Sequence, residues 1–207
     1  MFFRLEERSR YEQGRALGHP LTPYGDTLTI PIRRYRHLYE AVQDESRRTG
    51  EPFGKIILRN ADDAEYMRAF TGCSAAFWAH LCEEVRRQSY PDLPSRLDSV
   101  FAFRSLGNEI RIDEVFRWES QVHRQNEMQG LIIYEVITKE DQISNKFDMT
   151  IIDILNANLD FEQNTNIISK YWNGDKSDSP MMVCLLKDHL LRGDMIKSLD
   201  RSSYRKS

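Results

Sequence analysis

A chain of 207 residues in which 40% of the side chains are apolar is long enough to bury a core as one domain, or as one domain with an appended tail. Its net charge of −3, from 29 basic and 32 acidic residues, excludes a surface built throughout for nucleic acid. No apolar run approaches the ~20 residues needed to span a bilayer, and three cysteines in a chain this large read as reduced thiols of a cytoplasmic protein, not as a disulfide framework.

Met1 to Glu6 reads as a short first strand; the charges at Arg4, Glu6 and Glu7 argue against a secretory signal. Ser9 to Gly18 is a polar segment carrying Gly14 and Gly18. His19-Pro20-Leu21-Thr22-Pro23-Tyr24-Gly25-Asp26 reads as a loop by its prolines and glycine. A loop this long after a first strand is either a lid or a wrapped surface segment. Ile32 to Thr49 places Tyr35, Leu38, Tyr39 and Val42 near helical spacing and stops before Gly50, as a helix does. Inside it, Arg33-Arg34-Tyr35-Arg36-His37 is basic with an aromatic in its middle. One reading is a solvated helix face; the other is a patch for phosphate groups, on NAD or on RNA.

Glu51 to Asn60, with Ile56-Ile57-Leu58, reads as a strand or extended connector. Asp62 and Asp63 stand where a cap and first-turn acids belong. They open a helix carried through Met67, Phe70, Phe77, Trp78, Leu81 and Val85 to about Gln88, with Thr71-Gly72 as a point of interruption. Aromatics at this spacing are core. Pro91 and Pro94 end the helix and set a rigid turn, Ser95-Arg96, that delivers the chain into a strand. There Leu97, Ser99, Phe101 and Phe103 share one face, and Asp98, Val100 and Ala102 the other. A hydroxyl at Ser99, between Leu97 and Phe101, needs a partner if it is buried.

Ser105 can cap a helix from Leu106 to about Glu119. Leu131 to Ile137 is apolar on both faces except at Glu135, the pattern of a strand in mid-sheet. Phe147 to Ala157 and Phe161 to Trp172 read as helices, 173–180 as a loop, and Met181 to Leu186 and Asp194 to Leu199 as strands. The tail, 201–207, reads as disordered.

Cys73 and Cys82 are too far apart for a Cys-x-x-Cys clip, and no histidine pair stands beside them at zinc spacing, so no metal is expected. Neither a Gly-x-Ser-x-Gly elbow nor a phosphate-binding Gly-x-x-x-x-Gly-Lys loop is present.

The stretch Pro91-x-x-Pro94-Ser95-Arg96-Leu97-x-Ser99-x-Phe101, preceded by a helix ending in Tyr90-Pro91, resembles a group of small bacterial domains with the ADP-ribosyltransferase fold. Tyr171-Trp172-x-Gly174, Pro180, Asp188-x-Leu190-x-x-Gly193 and the polar residue at position 4 of the first strand extend the resemblance over nearly the whole chain. It implies an α+β fold, with a split, mixed β-sheet and a helical insertion between strands, forming a single domain over 1–200. It also implies NAD as substrate, held by Arg4 and Ser99 with Ser95 and Arg96 supporting the turn, under a loop from Gly18 to Asp26. A carboxylate would stabilise the ribosyl cation. Asp188 aligns with the family's glutamate but is one methylene shorter; Glu135, set in a central strand, is the other contender. The implied activity is mono-ADP-ribosyl transfer to a macromolecular acceptor, protein or nucleic acid, in a toxin or phage-conflict role. The shortened carboxylate leaves open an inactive relative that acts as a binding module, inhibitor or neutralising partner, with no membrane involved in either case.

Overall fold

The computed structural model describes residues 2–7, 20–104, 131–138, 145–178, 180–187 and 190–199. The expected helix from Ser105, the segment Ser9 to Gly18, the tail and Asp188 lie outside these. In chain order the elements are β1 (Phe2–Glu7), a 3-10 turn (Tyr24–Thr27), α1 (Thr29–Thr49), α2 (Phe53–Arg59), α3 (Ala64–Met67), a π turn (Arg68–Gly72) and α4 (Ser74–Ser89). There follow β2 (Val100–Arg104), β3 (Leu131–Ile137), β4 (Lys146–Asp148), α5 (Met149–Ile152), α6 (Phe161–Asn173), β5 (Met182–Leu186) and β6 (Leu191–Leu199). The chain is thus α+β. It divides into two compact units, each drawn from separated segments: 1–22, 100–146 and 181–207 form the first, 23–99 and 147–180 the second.

In the first unit the strands run in the order β5-β2-β1-β3-β6, and every one of these pairings is antiparallel. A parallel component of the expected mixed sheet is not among them. β3 is interior, as its apolar run requires. β1 pairs with β3 along its whole length but with β2 only through Phe2 opposite Arg104 and Phe3 opposite Phe103. Beyond Phe3 the two strands part.

The connection from β5 to β6 is residues 187–190, yet those strands stand four spacings apart in the order. At ~4.8 Å per spacing a flat sheet would put them roughly 19 Å apart, more than the roughly 17 Å that the extended chain from Leu186 to Leu191 can span. The sheet must therefore curl. Leu186 and Leu190, on either side of the connection, share one apolar cluster with Phe2, Val100, Ala102, Ile132, Tyr134, Val136 and Cys184. Within β2 the core face is thus Val100 and Ala102, while Phe101 and Phe103 on the other face stay half-buried. Part of the loop after β1 is pinned here: Pro20 bridges to Leu191, the Leu21 amide donates to the Leu190 carbonyl at 2.9 Å, and Leu21 packs on the cluster.

The second unit is helical. α1 and α4 pack around Tyr39, which is fully buried and meets Phe70 and Phe77 edge-on, each at 5.5 Å. Phe53 adds a further edge contact to Phe77 at 5.2 Å. The aromatics at helical spacing are therefore core, as their periodicity implied. Helix ends follow local chemistry. The Asp63 carboxylate accepts from the Glu65 and Tyr66 amides, and Asp160 with Gln163 forms a reciprocal capping box. Gly50 and Gly174 end α1 and α6 at φ of 69° and 78°, where a Cβ would be strained.

Two segments differ from the sequence reading. Residues 53–59 form a helix, not a strand: Pro52 starts it, and Phe53 and Ile56 bury one side, so tertiary packing overrides the β-branched pair. Within the expected helix from Phe147 to Ala157, Phe147 and Asp148 end a short strand and only Met149–Ile152 is helical. The buried Asp148 stops the strand by accepting from the amides and hydroxyls of Thr150 and Ser177.

Gly193 faces Glu135 across the irregular β3–β6 ladder, and a Cβ there would stand 2.9 Å from both the Cβ and the carbonyl oxygen of Glu135. Gly193→Ala is expected to lose about 1–3 kcal/mol in urea unfolding, the usual range for overpacking. Gly72→Ala, whose Cβ would meet nothing nearer than 3.9 Å, should shift stability far less.

Candidate functional site

The residues singled out in the sequence fall into separate groups. In the first unit Arg4 lies opposite Tyr134 in the β1–β3 ladder. It therefore shares the sheet face of Phe2, Tyr134 and Val136, and it is the first residue of β1 past the last β1–β2 pair. Its side chain is half-buried at this fork. Arg192, which pairs with Val136, is on the same face and buried, with its guanidinium 5.1 Å from the centre of the Tyr134 ring. The sequence reading missed it. Glu135, one residue along from Tyr134, points to the opposite face and is half-buried. Arg4 and Glu135 thus do not converge.

Ser95, Arg96 and Ser99 belong to the second unit, where the turn uses all three internally. The Ser95 hydroxyl accepts from the Leu97 and Asp98 amides, a hydroxyl-capped turn. The Ser99 hydroxyl donates to the Ser95 carbonyl at 2.5 Å, which is the partner its burial demanded. Gly25 crosses this turn so closely that a Cβ would stand 2.5 Å from the Leu97 carbonyl oxygen, to which the Gly25 amide donates.

Arg96 is buried between rings, its guanidinium 5.0 Å from the Tyr171 centroid and 5.9 Å from that of Tyr24, with Nη1 3.6 Å from the Met149 sulfur. Burial works against its charge, but electrostatic interaction with the ionisable groups around it, Tyr171, Cys82 and Tyr24, holds its pKa above the ordinary value. The reciprocal effects are visible in its neighbours. Burial pushes the Tyr171 phenol up to about 12 and the Cys82 thiol up to about 11, each against the pull of the Arg96 charge.

The basic run Arg33 to His37 lies on α1. Two of its arginines, Arg33 and Arg36, line a cavity of about 410 Å³ along α1 and α4, together with His80, Glu83, Glu84 and Arg87. Helical spacing puts Arg36 and Glu40 on one face of α1, and His80 and Glu84 on one face of α4. Glu83 is already committed, accepting from Arg86 and Arg87. His80 is buried against Tyr39, with ring centres 5.9 Å apart. Burial, aided by the nearby charges of Arg36 and Arg87, lowers its pKa to about 4, so the imidazole is neutral near pH 7. Glu84 is raised by burial and by Glu40 beside it, against Arg47. The cavity thus combines exposed cations at its rim with a neutral imidazole and a carboxylate in its wall.

The family model described as "Protein of unknown function (DUF2441)" matches residues 20–192, and the chain belongs to that family. The match includes the whole helical unit and the strands from β2 through the start of β6. No curated protein matches the chain. No helix among the described residues is long and apolar enough to cross a membrane.

If the Ser95 turn is built around the Arg96 cation, Arg96→Ala removes a charge that Tyr24 and Tyr171 enclose and leaves a cavity. A loss of about 2–4 kcal/mol is expected in chemical denaturation. Ser95→Ala, which deletes only a local cap, should cost about 1 kcal/mol.

Proposed function

We propose that the protein handles NAD as an ADP-ribosyltransferase does, passing ADP-ribose to a macromolecular acceptor, protein or nucleic acid. The observation that carries this reading is the position of Arg4, a cationic side chain on the core-facing side of β1 at the point where β1 and β2 diverge. A fixed guanidinium fork at the mouth of a parted sheet suits a diphosphate or ribose edge. The helical segment between β1 and β2, and the two-residue pairing of those strands, are what a split-sheet fold of this type would require.

In this proposal the bond between ribose C1′ and the nicotinamide nitrogen breaks, its electron pair leaves with nicotinamide, and an acceptor oxygen or nitrogen attacks C1′ and releases a proton to solvent. A carboxylate stabilises the positive charge that develops on the ribose. The opposite projection of Glu135 and Arg4 favours Asp188, which follows β5 in the sequence, for this role.

A second reading, a binding module of the same fold without transferase activity, is favoured by the turn. Ser95 and Ser99 commit their hydroxyls, and Arg96 its charge, inside the second unit, which leaves Arg4 alone among the four expected NAD-contacting side chains.

Nicotinamide release from NAD by the purified protein, with and without cell lysate, separates the two. The transferase reading expects release that depends on lysate and falls at least ~100-fold in Arg4→Ala and Asp188→Asn, as for loss of an electrostatic transition-state contact, while Glu135→Gln retains it. Nuclease or protease treatment of the lysate then classes the acceptor. A folded wild-type protein that releases no nicotinamide and gains no thermal stability from NAD would sink the transferase reading.

A further inference from the structure

We propose that Glu40, His80 and Glu84 form a binding site for a first-row divalent cation, one that joins α1 to α4 beside the cavity that His80 and Glu84 line. The site is independent of the NAD reading and lies wholly within the second unit. One ligand atom from each residue, a carboxylate oxygen from Glu40 and from Glu84 and a ring nitrogen from His80, can be chosen so that all lie within 4.8 Å of one another. Two helices supply them: His80 and Glu84 stand four residues apart on α4, and Glu40 faces them from α1.

The histidine distinguishes this cluster from a chance gathering of acids. His80 is 8% exposed, and its Nε2 is sealed from solvent without a hydrogen-bond partner. That nitrogen lies 3.8 Å from Glu84 Oε2, too far for a hydrogen bond. A buried polar atom left this way is costly, and a cation held among the three ligand atoms would satisfy it.

Bonds of about 2.0–2.2 Å place neighbouring ligand atoms roughly 3–3.5 Å apart. From separations of at most 4.8 Å the cluster therefore has to contract by no more than about 1.3–1.8 Å. Glu40 is exposed and Glu84 half-buried, so rotamer changes on those two side chains can close it around a fixed His80. The nearby cations do not prevent this. Arg87 is drawn to Glu83 at 3.2 Å, and Arg36 is exposed on a long, mobile stem.

One imidazole and two carboxylates suit Zn²⁺ or Mn²⁺ better than Mg²⁺, which prefers oxygen alone. Three protein ligands also leave coordination positions open toward the cavity, whose rim carries Arg33, Arg36 and Arg87. An anion entering there would meet both the metal and those guanidinium groups.

The test is calorimetric titration of the metal-stripped full chain with Zn²⁺, and separately with Mg²⁺, alongside thermal unfolding. The wild-type protein is expected to take up one equivalent of Zn²⁺ and to unfold at a higher temperature with it. Glu40→Gln, a change at an exposed position that leaves the core untouched, should weaken Zn²⁺ at least ~10-fold, and His80→Gln should do so by more. His37→Gln, on the same helix but outside the cluster, should bind as the wild type does. Absence of Zn²⁺ uptake by the folded wild type, unchanged binding in Glu40→Gln, or equal affinity for Mg²⁺ would each overturn the assignment.

Discussion

The first unit depends on a short connection. Residues 187–190 have to carry the chain between strands that a flat sheet would hold too far apart, so the sheet curls, and one of its faces becomes the interior. Everything notable about Arg4 follows. The same face that buries Phe2 and Tyr134 directs Arg4 inward, and the early end of the β1–β2 ladder gives its charge an opening. Had β1 and β2 paired along their full length, Arg4 would sit opposite Ala102 with its charge sealed against an apolar wall. The parting of the strands resolves a conflict between sheet register and charge burial, and Arg4 stays half-buried there.

The second unit meets the opposite problem and solves it without an opening. Arg96 is enclosed by aromatic faces and a thioether, which offer polarisability in place of water, while the hydroxyls beside it satisfy amides and carbonyls of their own turn. A cation held so tightly by side chains from both segments of the unit specifies how those segments meet. The cavity between α1 and α4 is different in kind, because its charges stand at a solvent-open rim and the buried Nε2 of its imidazole has no hydrogen-bond partner. The structure therefore separates a cation that organises the fold from polar groups that are still available to a ligand.

Much of the framework was legible in local chemistry. Asp63 and Gly50 mark real helix ends, the Thr71-Gly72 interruption appears as a π turn, and the run from Leu131 to Ile137 is an interior strand. What failed was context-dependent. Ile56-Ile57-Leu58 has strand-like composition, but Pro52 and the burial of Phe53 and Ile56 make a helix of it. In the serine-arginine turn the direction of each hydroxyl is set by the fold and not by residue type; here both fold back on their own backbone. Glu40 and His80, some forty positions apart, gave no motif at all. The signal was present only as two i,i+4 pairs, Arg36 with Glu40 and His80 with Glu84, whose meeting required the packing of α1 on α4. The opposed directions of Arg4 and Glu135 were latent in strand alternation and became readable once the register with β3 was fixed.

The helical unit is discontinuous in sequence, and this bears on its synthesis. Residues 23–99 emerge from the ribosome well before 147–180, yet Tyr171, which covers Arg96, and Trp172, whose indole nitrogen donates to the Cys82 carbonyl, belong to the later segment. Until they arrive, the earlier helices hold a guanidinium and an apolar face with no lid. Closure of the unit must await nearly the whole chain, because its two segments are separated by residues 100–146. A chain halted before α6 would therefore leave Arg96 without its Tyr171 cover and the Cys82 carbonyl without the Trp172 donor.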